Sequence, residues 1–278
     1  MGADRYQHQK KFELLLKRIS IMLKRIVALS FSAMLALSSA ANAADKKDAI
    51  DEFFDQVPGE FSADVTLASD YTFRGVSQTA GQPALQGTFG YSLGLQETFG
   101  APVPINVYGS VWGSNVNFGP SDPAFIELDL ITGINTEVAG ISADFFVSWY
   151  TYPDTENTGT DYVEYAGGLG YDFGLASLGT TFVYSPDYTA NAGEFYYFNA
   201  ALSVPLPLKL TLDATVGTGW FERDENVEFT DWSIGISREI RGFGLSAAYI
   251  DNDMDDDTDC SGNTNCDARG IVSVSKSF

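Results

Sequence analysis

Carboxylate side chains occupy many of the polar positions in this chain's alternating apolar and polar segments, and they are its main candidates for chemistry. The chain carries 37 acidic and 16 basic side chains, a net charge of −21 at pH 7. This charge argues against nucleic-acid binding, which requires basic residues that neutralise phosphates. Acidic pore walls instead attract cations and repel anions. The acids at polar positions are Asp64, Asp70, Glu127, Asp129, Asp144, Glu164, Asp172, Asp213, Asp231 and Glu239, and the bases are Arg74, Lys209 and Arg269.

Histidine is nearly absent, and this limits the catalytic chemistry. His8 is the only histidine of the chain, and it precedes a predicted cleavage site. Ser-His and Asp-His catalysis are therefore excluded from the mature protein, which also lacks the commonest ligand for zinc, copper or haem. A carboxylate pair containing Asp70 or Glu164 could in principle hydrolyse sugars, but carboxylates this abundant approach one another by chance. We predict that the protein is not an enzyme and needs no cofactor.

The acidic segment before the C-terminal strand suggests two further features. Asp251, Asp253, Asp255 and Asp257 alternate as carboxylates do in a calcium-binding loop, but the characteristic glycine and the final glutamate are missing. A weak calcium site and a solvated acidic loop both remain open. Cys260 and Cys266 are the only cysteines, and in an exported protein they are expected to form a small disulfide loop.

The N-terminus predicts export. Lys24 and Arg25 precede a short apolar run, and small residues ending at Ala43 form a cleavage site. The apolar run, at about twelve residues, is short for a transmembrane helix, although a retained anchor is the alternative. We predict a signal peptide over residues 1–43, with Met22 as a possible true start. A periplasmic segment follows over residues 44–60, either as a brief amphipathic helix or as a tail.

The fold prediction depends on strand-like alternation that begins at Phe61 and runs to Arg74. Apolar and polar residues alternate there over about fourteen positions, enough for a tilted strand that crosses a bilayer. The pattern returns in about twelve segments, and short joins alternate with longer polar ones. A soluble sandwich would also alternate, but nothing in it requires long and short loops to segregate in this way. Residues 61–278 are therefore predicted to form an all-β, transmembrane, antiparallel up-and-down β-barrel of about twelve strands.

Aromatic residues and one arginine add detail to this prediction. Arg74 ends the first predicted strand, where it would either line a constriction or form an ion pair with Asp70 at the rim. Aromatic residues cluster near predicted strand ends, as expected of the girdles at the two membrane interfaces. They are Tyr71, Phe73, Trp149, Tyr150, Tyr152, Tyr162, Tyr196, Tyr197, Trp220 and Phe221.

Four stretches carry a resemblance to a known family. The segments 65–78 (VTLASDYTFRGVSQ), 83–87 (PALQG), 112–116 (WGSNV) and 274–278 (VSKSF) resemble the TorF family of outer-membrane porins. The resemblance covers the mature chain and implies an outer-membrane barrel with a porin role. The terminal Phe278 is similar to the signal read by the barrel-assembly machinery, whereas Lys276 departs from the apolar residue usual there.

Together these observations predict an outer-membrane porin that allows passive, cation-preferring diffusion of small cationic or neutral solutes through a narrow acidic lumen. The alternative is a non-conducting structural or interaction barrel whose extracellular loops bind a partner or calcium. The expected partners are the outer-membrane lipid bilayer and the assembly machinery, with no nucleic acid. The predicted lumen and selectivity residues are Asp64, Asp70, Arg74, Glu127, Asp129, Asp144, Glu164, Asp172, Lys209 and Asp213.

Overall fold

A computed structural model describes Lys17 and residues 57–119, 124–153, 155, 159–222, 228–255, 260 and 264–278. The predicted signal peptide, apart from Lys17, lies outside the described residues, as do most of the 44–60 segment and Asp257. Among the described residues, no helix is long and apolar enough to cross a membrane.

Twelve long antiparallel strands close into a barrel, and this confirms the predicted fold class. Each barrel strand pairs with its neighbours along the chain, and β1 pairs with β14 to close the sheet. Two short strands, β2 and β3, form a separate hairpin. The strands within the described residues are β1 (Glu60–Ala68), β2 (Thr72–Phe73), β3 (Val76–Ser77), β4 (Ala84–Gly94), β5 (Ile105–Asn115), β6 (Ile126–Val138), β7 (Ile141–Thr151), β8 (Tyr162–Asp172), β9 (Ser177–Tyr188), β10 (Gly193–Leu206), β11 (Leu210–Phe221), β12 (Glu228–Ile240), β13 (Phe243–Asn252) and β14 (Arg269–Ser277).

The two faces of the barrel wall differ in polarity, as the alternation predicts. Outward side chains are apolar and exposed, such as Leu67 at 57% and Val272 at 60%. Inward side chains at alternate positions include Glu127 and Glu164, which are only 2% and 3% exposed. Large apolar side chains on the outer surface are destabilising in water and favourable in lipid, so this outer face suits a bilayer.

Tight turns define one end of the barrel, which we call the turn end. Ala139 and Gly140, and likewise Arg241 and Gly242, have positive φ angles of 54° to 79°. Two consecutive residues of this kind form the hairpin turn that best matches the twist of its strands. The other end, with most of the longer connections, is called the loop end. Lys209, predicted to lie on a strand, instead lies exposed in the turn Pro207–Lys209, so its predicted strand position is wrong.

Residues 93–106 form a connection of their own with a short helix, α1 (Leu95–Phe99). Gly100 ends this helix in the left-handed conformation, with φ of 69°. Its N–H donates to the Gln96 carbonyl at 2.8 Å, and the Ala101 N–H donates to the Leu95 carbonyl at 3.3 Å. This is the usual way in which a glycine terminates a helix.

The first predicted strand is shorter than its alternation suggested. Strand β1 ends at Ala68, whereas the alternation continues to Arg74. The reason is that Thr72–Phe73 is itself extended, as β2, and pairs with β3 through a two-residue turn. Arg74 and Gly75 form this turn with φ of 50° and 80°. The periodicity therefore joins two different strands, and residues 69–83 between β1 and β4 form what we call the inner loop.

Barrel closure can be tested with a disulfide between its first and last strands. Thr66 and Ser275 are direct cross-strand partners, and such pairs have Cβ atoms about 5 Å apart. The variant T66C/S275C should therefore form an additional disulfide on mild oxidation of the folded protein, detected by mass spectrometry of peptides. The control T66C/S246C places the second cysteine one strand further away, on β13. Equal cross-linking of the two variants would contradict the closing register.

Candidate functional site

The inner loop folds into the barrel interior and contacts inward side chains around the wall. The Tyr71 ring lies 5.2 Å from the Trp112 ring of β5, measured between centroids. At the hairpin tip, the Gly75 carbonyl accepts a hydrogen bond of 3.0 Å from the Asn252 side chain of β13. Arg74 at the hairpin tip reaches Glu164 of β8, which lies five strands away from β1 around the closed sheet, so the loop crosses the interior of the barrel.

Arg74 is the central contact of the inner loop. Its two terminal nitrogens donate to the two carboxylate oxygens of Glu164 on β8, at 2.8 and 2.9 Å. The two side chains are 7% and 3% exposed. The guanidinium also lies 4.5 Å from the ring centroid of Tyr197 and 4.9 Å from that of Phe195. A two-pronged ion pair with stacked rings is the geometry that suits arginine in a buried site.

Asp70 has a different partner, so the predicted rim pair between Arg74 and Asp70 is wrong. Its carboxylate binds Arg269 of β14 at 2.7 Å. The hydroxyls of Ser77 and Thr79 donate to the same carboxylate at 2.8 and 2.6 Å. Arg269 also donates to the carbonyls of Thr264 and Asn265. This cluster joins the base of the inner loop to the last strand and to the connection before it.

Gly75 allows the tip to pack closely. Its φ of 80° is costly for residues with a side chain. A Cβ atom at this position would lie 2.9 Å from the Asn252 Cβ and 3.0 Å from the Asp231 Cβ. The Arg-Gly dipeptide between extended segments was a turn signal that the alternation obscured.

Two inward carboxylates on β6, those of Glu127 and Asp129, each have one oxygen without a hydrogen-bond partner among the described residues. Oε2 of Glu127 and Oδ1 of Asp129 are buried and accept no hydrogen bond within the described part of the chain. The other Glu127 oxygen accepts a bond of 3.3 Å from the Tyr71 hydroxyl. Tyr71 belongs to the inner loop, where burial and then the charges of Glu127 and Asp129 raise the pKa of its phenol. The phenol therefore stays protonated at neutral pH and remains a donor.

Two tyrosines lie across inward glycines and reach acids two strands away. The Tyr108 hydroxyl on β5 binds both oxygens of Asp144 on β7 at 3.0 Å. Its ring covers Gly133 of β6, where an added Cβ would be 2.6 Å from the ring. Tyr197 on β10 binds Asp231 on β12 at 2.9 Å in the same manner. It covers Gly217, whose added Cβ would collide with the ring.

The predicted aromatic girdle is wrong for those of its members that lie inside the barrel, and it stays a prediction for those on the outer face. Trp149 is 46% exposed on the outer face. In contrast, Tyr150 is buried and stacks on Tyr162 with ring centroids 4.5 Å apart. Several other members of the predicted girdle also lie in the interior, where they form two apolar clusters with the inner loop and neighbouring strands. These members are Tyr71, Phe73, Tyr152, Tyr197 and Phe221.

Beyond these clusters, toward the turn end, the interior contains open space. A cavity of about 590 Å³ is lined by small and polar inward residues, including Ser142, Gly170, Ser203 and Asp213. A second cavity of about 260 Å³ lies beside Asp144. The interior is therefore filled by aromatic rings and the inner loop toward the loop end and is open toward the turn end.

The remaining predicted lumen acids are held by local hydrogen bonds. Asp64 accepts a bond from the Ser277 hydroxyl across the closing strand pair. Asp213 accepts bonds from Ser203 at 2.8 Å and Ser237 at 3.1 Å. Asp172 lies exposed at a turn and accepts a bond of 2.6 Å from the Gly174 N–H.

The described part of the acidic segment does not form a metal cluster. Asp251 accepts a bond of 2.7 Å from the Tyr249 hydroxyl, and Asp253 accepts one of 2.6 Å from the Thr230 N–H. Within the residues described, no group of three or more acids, cysteines or histidines could hold a metal ion. Asp257 lies outside those residues, so calcium binding stays a prediction. Cys260 and Cys266 are joined by a disulfide, with Cα atoms 6.2 Å apart.

The fold and its interior define a closed, twelve-stranded antiparallel barrel whose first long loop folds inside. Residues 55–278 match the family model described as "Bacterial protein of unknown function (Gcw_chp)". The chain belongs to this family. Comparison with curated proteins gives no match.

Several solved structures are similar to this chain. The KdgM porin is 8% identical, with a TM-score of 0.48, over 78% of this chain and 99% of that one. The NanC porin is 8% identical, with a TM-score of 0.49, over 77% and 97%. Outer membrane phospholipase A from Escherichia coli is 12% identical, with a TM-score of 0.47, over 79% and 96%. Similarity at this level does not transfer an activity.

The buried ion pair makes a testable contribution to stability. Removal of one partner of such a pair leaves an uncompensated charge and costs about 3 kcal/mol or more. R74A should therefore lower the free energy of unfolding by about this amount in denaturant titrations of the refolded protein. R74M/E164L should recover most of the loss, because both charges are then removed. The control R238A changes an exposed arginine and should have little effect. Equal stability of R74A and R238A would contradict the buried pair.

Proposed function

We propose that the protein is an outer-membrane channel that allows passive diffusion of small solutes and prefers cations. The observation that carries this proposal is a closed barrel with an apolar outer face and an inner face rich in carboxylates. Contact with lipid accounts for the apolar outer face. Closure of the sheet is also expected in a membrane, because an open sheet edge would leave backbone groups without hydrogen bonds. The inward acids would repel anions and concentrate cations at the entrance.

The inner loop supports a narrow channel. The interior toward the turn end contains a cavity of about 590 Å³, whereas the loop carries Arg74 across the interior to Glu164. A solute that crosses the barrel would have to pass this segment. A twelve-stranded barrel is intermediate in width between side-chain-filled eight-stranded barrels and open sixteen-stranded porins. Passage would therefore be restricted to small solutes.

The proposal includes the cellular context. Export through a cleaved signal peptide would place the chain in the periplasm, where the assembly machinery would read the C-terminal Phe278. The turn end would face the periplasm and the loop end the exterior, as in other barrels of this type. Kinship with the TorF porins and the absence of enzymatic activity remain predictions.

A barrel that does not conduct is the second candidate function, and one observation favours it. Two clusters of buried aromatic side chains pack with the inner loop in the interior, around Phe195 and Tyr162. If this packing is permanent, the barrel would not conduct, and its exposed loops would carry the function by binding a partner or calcium.

Conductance in planar bilayers separates the two candidates. The wild type should show small, cation-preferring channels in potassium chloride. Replacement of residues 70–82 by a short Gly-Ser linker should increase the conductance severalfold, since the segment that crosses the interior is removed. D144N/D213N, with the loop intact, should reduce the preference for potassium, whereas the exposed control R238A should not. A wild type without conductance, together with a conducting loop variant, would favour the non-conducting barrel. Absence of conductance in both proteins would contradict the channel.

A further inference from the structure

Glu127 and Asp129 are buried in the barrel without a counter-charge. They are 2% and 6% exposed, and one oxygen of each accepts no hydrogen bond in the part of the chain that the structure describes. They are two residues apart on β6, so both face inward, with Cα atoms about 7 Å apart. An isolated buried carboxylate is strongly unfavourable unless an opposite charge, hydrogen bonds or a proton compensates it.

The two interior arginines do not supply this compensation. Arg74 pairs with Glu164, and Arg269 pairs with Asp70. Their other hydrogen bonds go to the Tyr188 hydroxyl and to backbone carbonyls. The two acids of β6 therefore have no counter-charge among the described residues, and a bound cation would stabilise their ionised form.

Aromatic rings surround this site. The Tyr71 hydroxyl binds Glu127, and the Tyr71 ring lies against that of Trp112. Asp129 is the direct cross-strand partner of Tyr150 on β7, which brings their Cβ atoms to about 5 Å. Tyr71 packs on the cluster that contains Tyr150 and Tyr152. Aromatic faces attract cations, most strongly where water is excluded.

We propose that Glu127 and Asp129 form a binding site for an organic ammonium cation inside the barrel. The carboxylates supply charge and hydrogen-bond acceptors, and the neighbouring rings supply contact surface for the alkyl groups and for the positive charge. Because it assigns a solute class to the acidic interior, this inference deepens the channel function proposed above.

The donor set favours an ammonium over a metal ion. Calcium takes six to eight oxygen ligands, mostly from carboxylates and carbonyls. In the described ranges, no three acids are grouped in a way that could hold a metal. Two carboxylates with aromatic walls are instead the combination that recognises a protonated amine.

Calorimetric titration of the refolded protein in detergent tests this site without any transport. The probes are 1,4-diaminobutane and, in a separate arm, calcium chloride. The wild type should bind the diamine, and E127Q/D129N should bind it about tenfold more weakly or worse, because both charged acceptors are lost. The matched control is E137Q, which neutralises an exposed acid on the same strand and the same face. E137Q should retain wild-type affinity.

Each alternative result has a defined meaning. Equal diamine affinity of the wild type and E127Q/D129N, or no diamine binding, overturns the proposal. Calcium binding that is lost in E127Q/D129N, without diamine binding, also overturns it and indicates a metal site. If the double variant does not fold, E127Q and D129N are titrated singly, and unchanged affinity in both overturns the site.

Transport and binding can fail independently. Cation-preferring conductance without diamine binding would overturn the site and leave the channel. Diamine binding that depends on Glu127 and Asp129, in a barrel that does not conduct, would sustain the site and contradict the channel.

Discussion

A guanidinium buried inside a β-barrel requires a carboxylate beside it, and the pair of Arg74 with Glu164 meets that requirement. The pair holds the inner loop across the interior, since Arg74 forms the tip of the hairpin and Glu164 belongs to the wall. The aromatic rings around the guanidinium exclude water and strengthen the attraction. If the loop lay elsewhere, Glu164 of β8 would be a buried charge without a partner. The position of the loop and the presence of an acid at this point of β8 therefore depend on each other.

This constraint organises the rest of the interior. Arg269 fixes the base of the inner loop through Asp70, and Asn252 fixes its tip through the Gly75 carbonyl. With both arginines engaged, Glu127 and Asp129 remain as uncompensated acids beside aromatic walls. The position of the acids without a counter-charge is therefore a better guide to where a cation could bind than the total number of acids. Toward the turn end, small residues leave the cavity open.

The sequence predicts the barrel well, because strand periodicity and loop lengths are local signals that a membrane barrel repeats many times. It also predicts correctly that Glu127 and Glu164 face inward. It does not predict where Arg74 lies, since β1 and β2 share one alternation and the bend between them leaves no break in the pattern. The partners Glu164 and Arg269 lie far along the chain, and pairing over such distances depends on the closed sheet. The sequence also does not show which aromatic residues near strand ends face inward, because their partners lie on other strands or in the inner loop.

The central claim is that the inner loop is a folded part of the barrel interior. Its backbone supports this, because the Gln78 N–H donates to the Tyr71 carbonyl and the Asn117 N–H donates to the Gln78 carbonyl, both at 2.7 Å. Hydrogen–deuterium exchange of peptides that cover residues 70–79 measures the claim most directly. The account predicts protection comparable to that of β10 in the wild type, with selective loss of protection in R74A. Exchange of this segment at the rate of an unfolded chain in the wild type would contradict it.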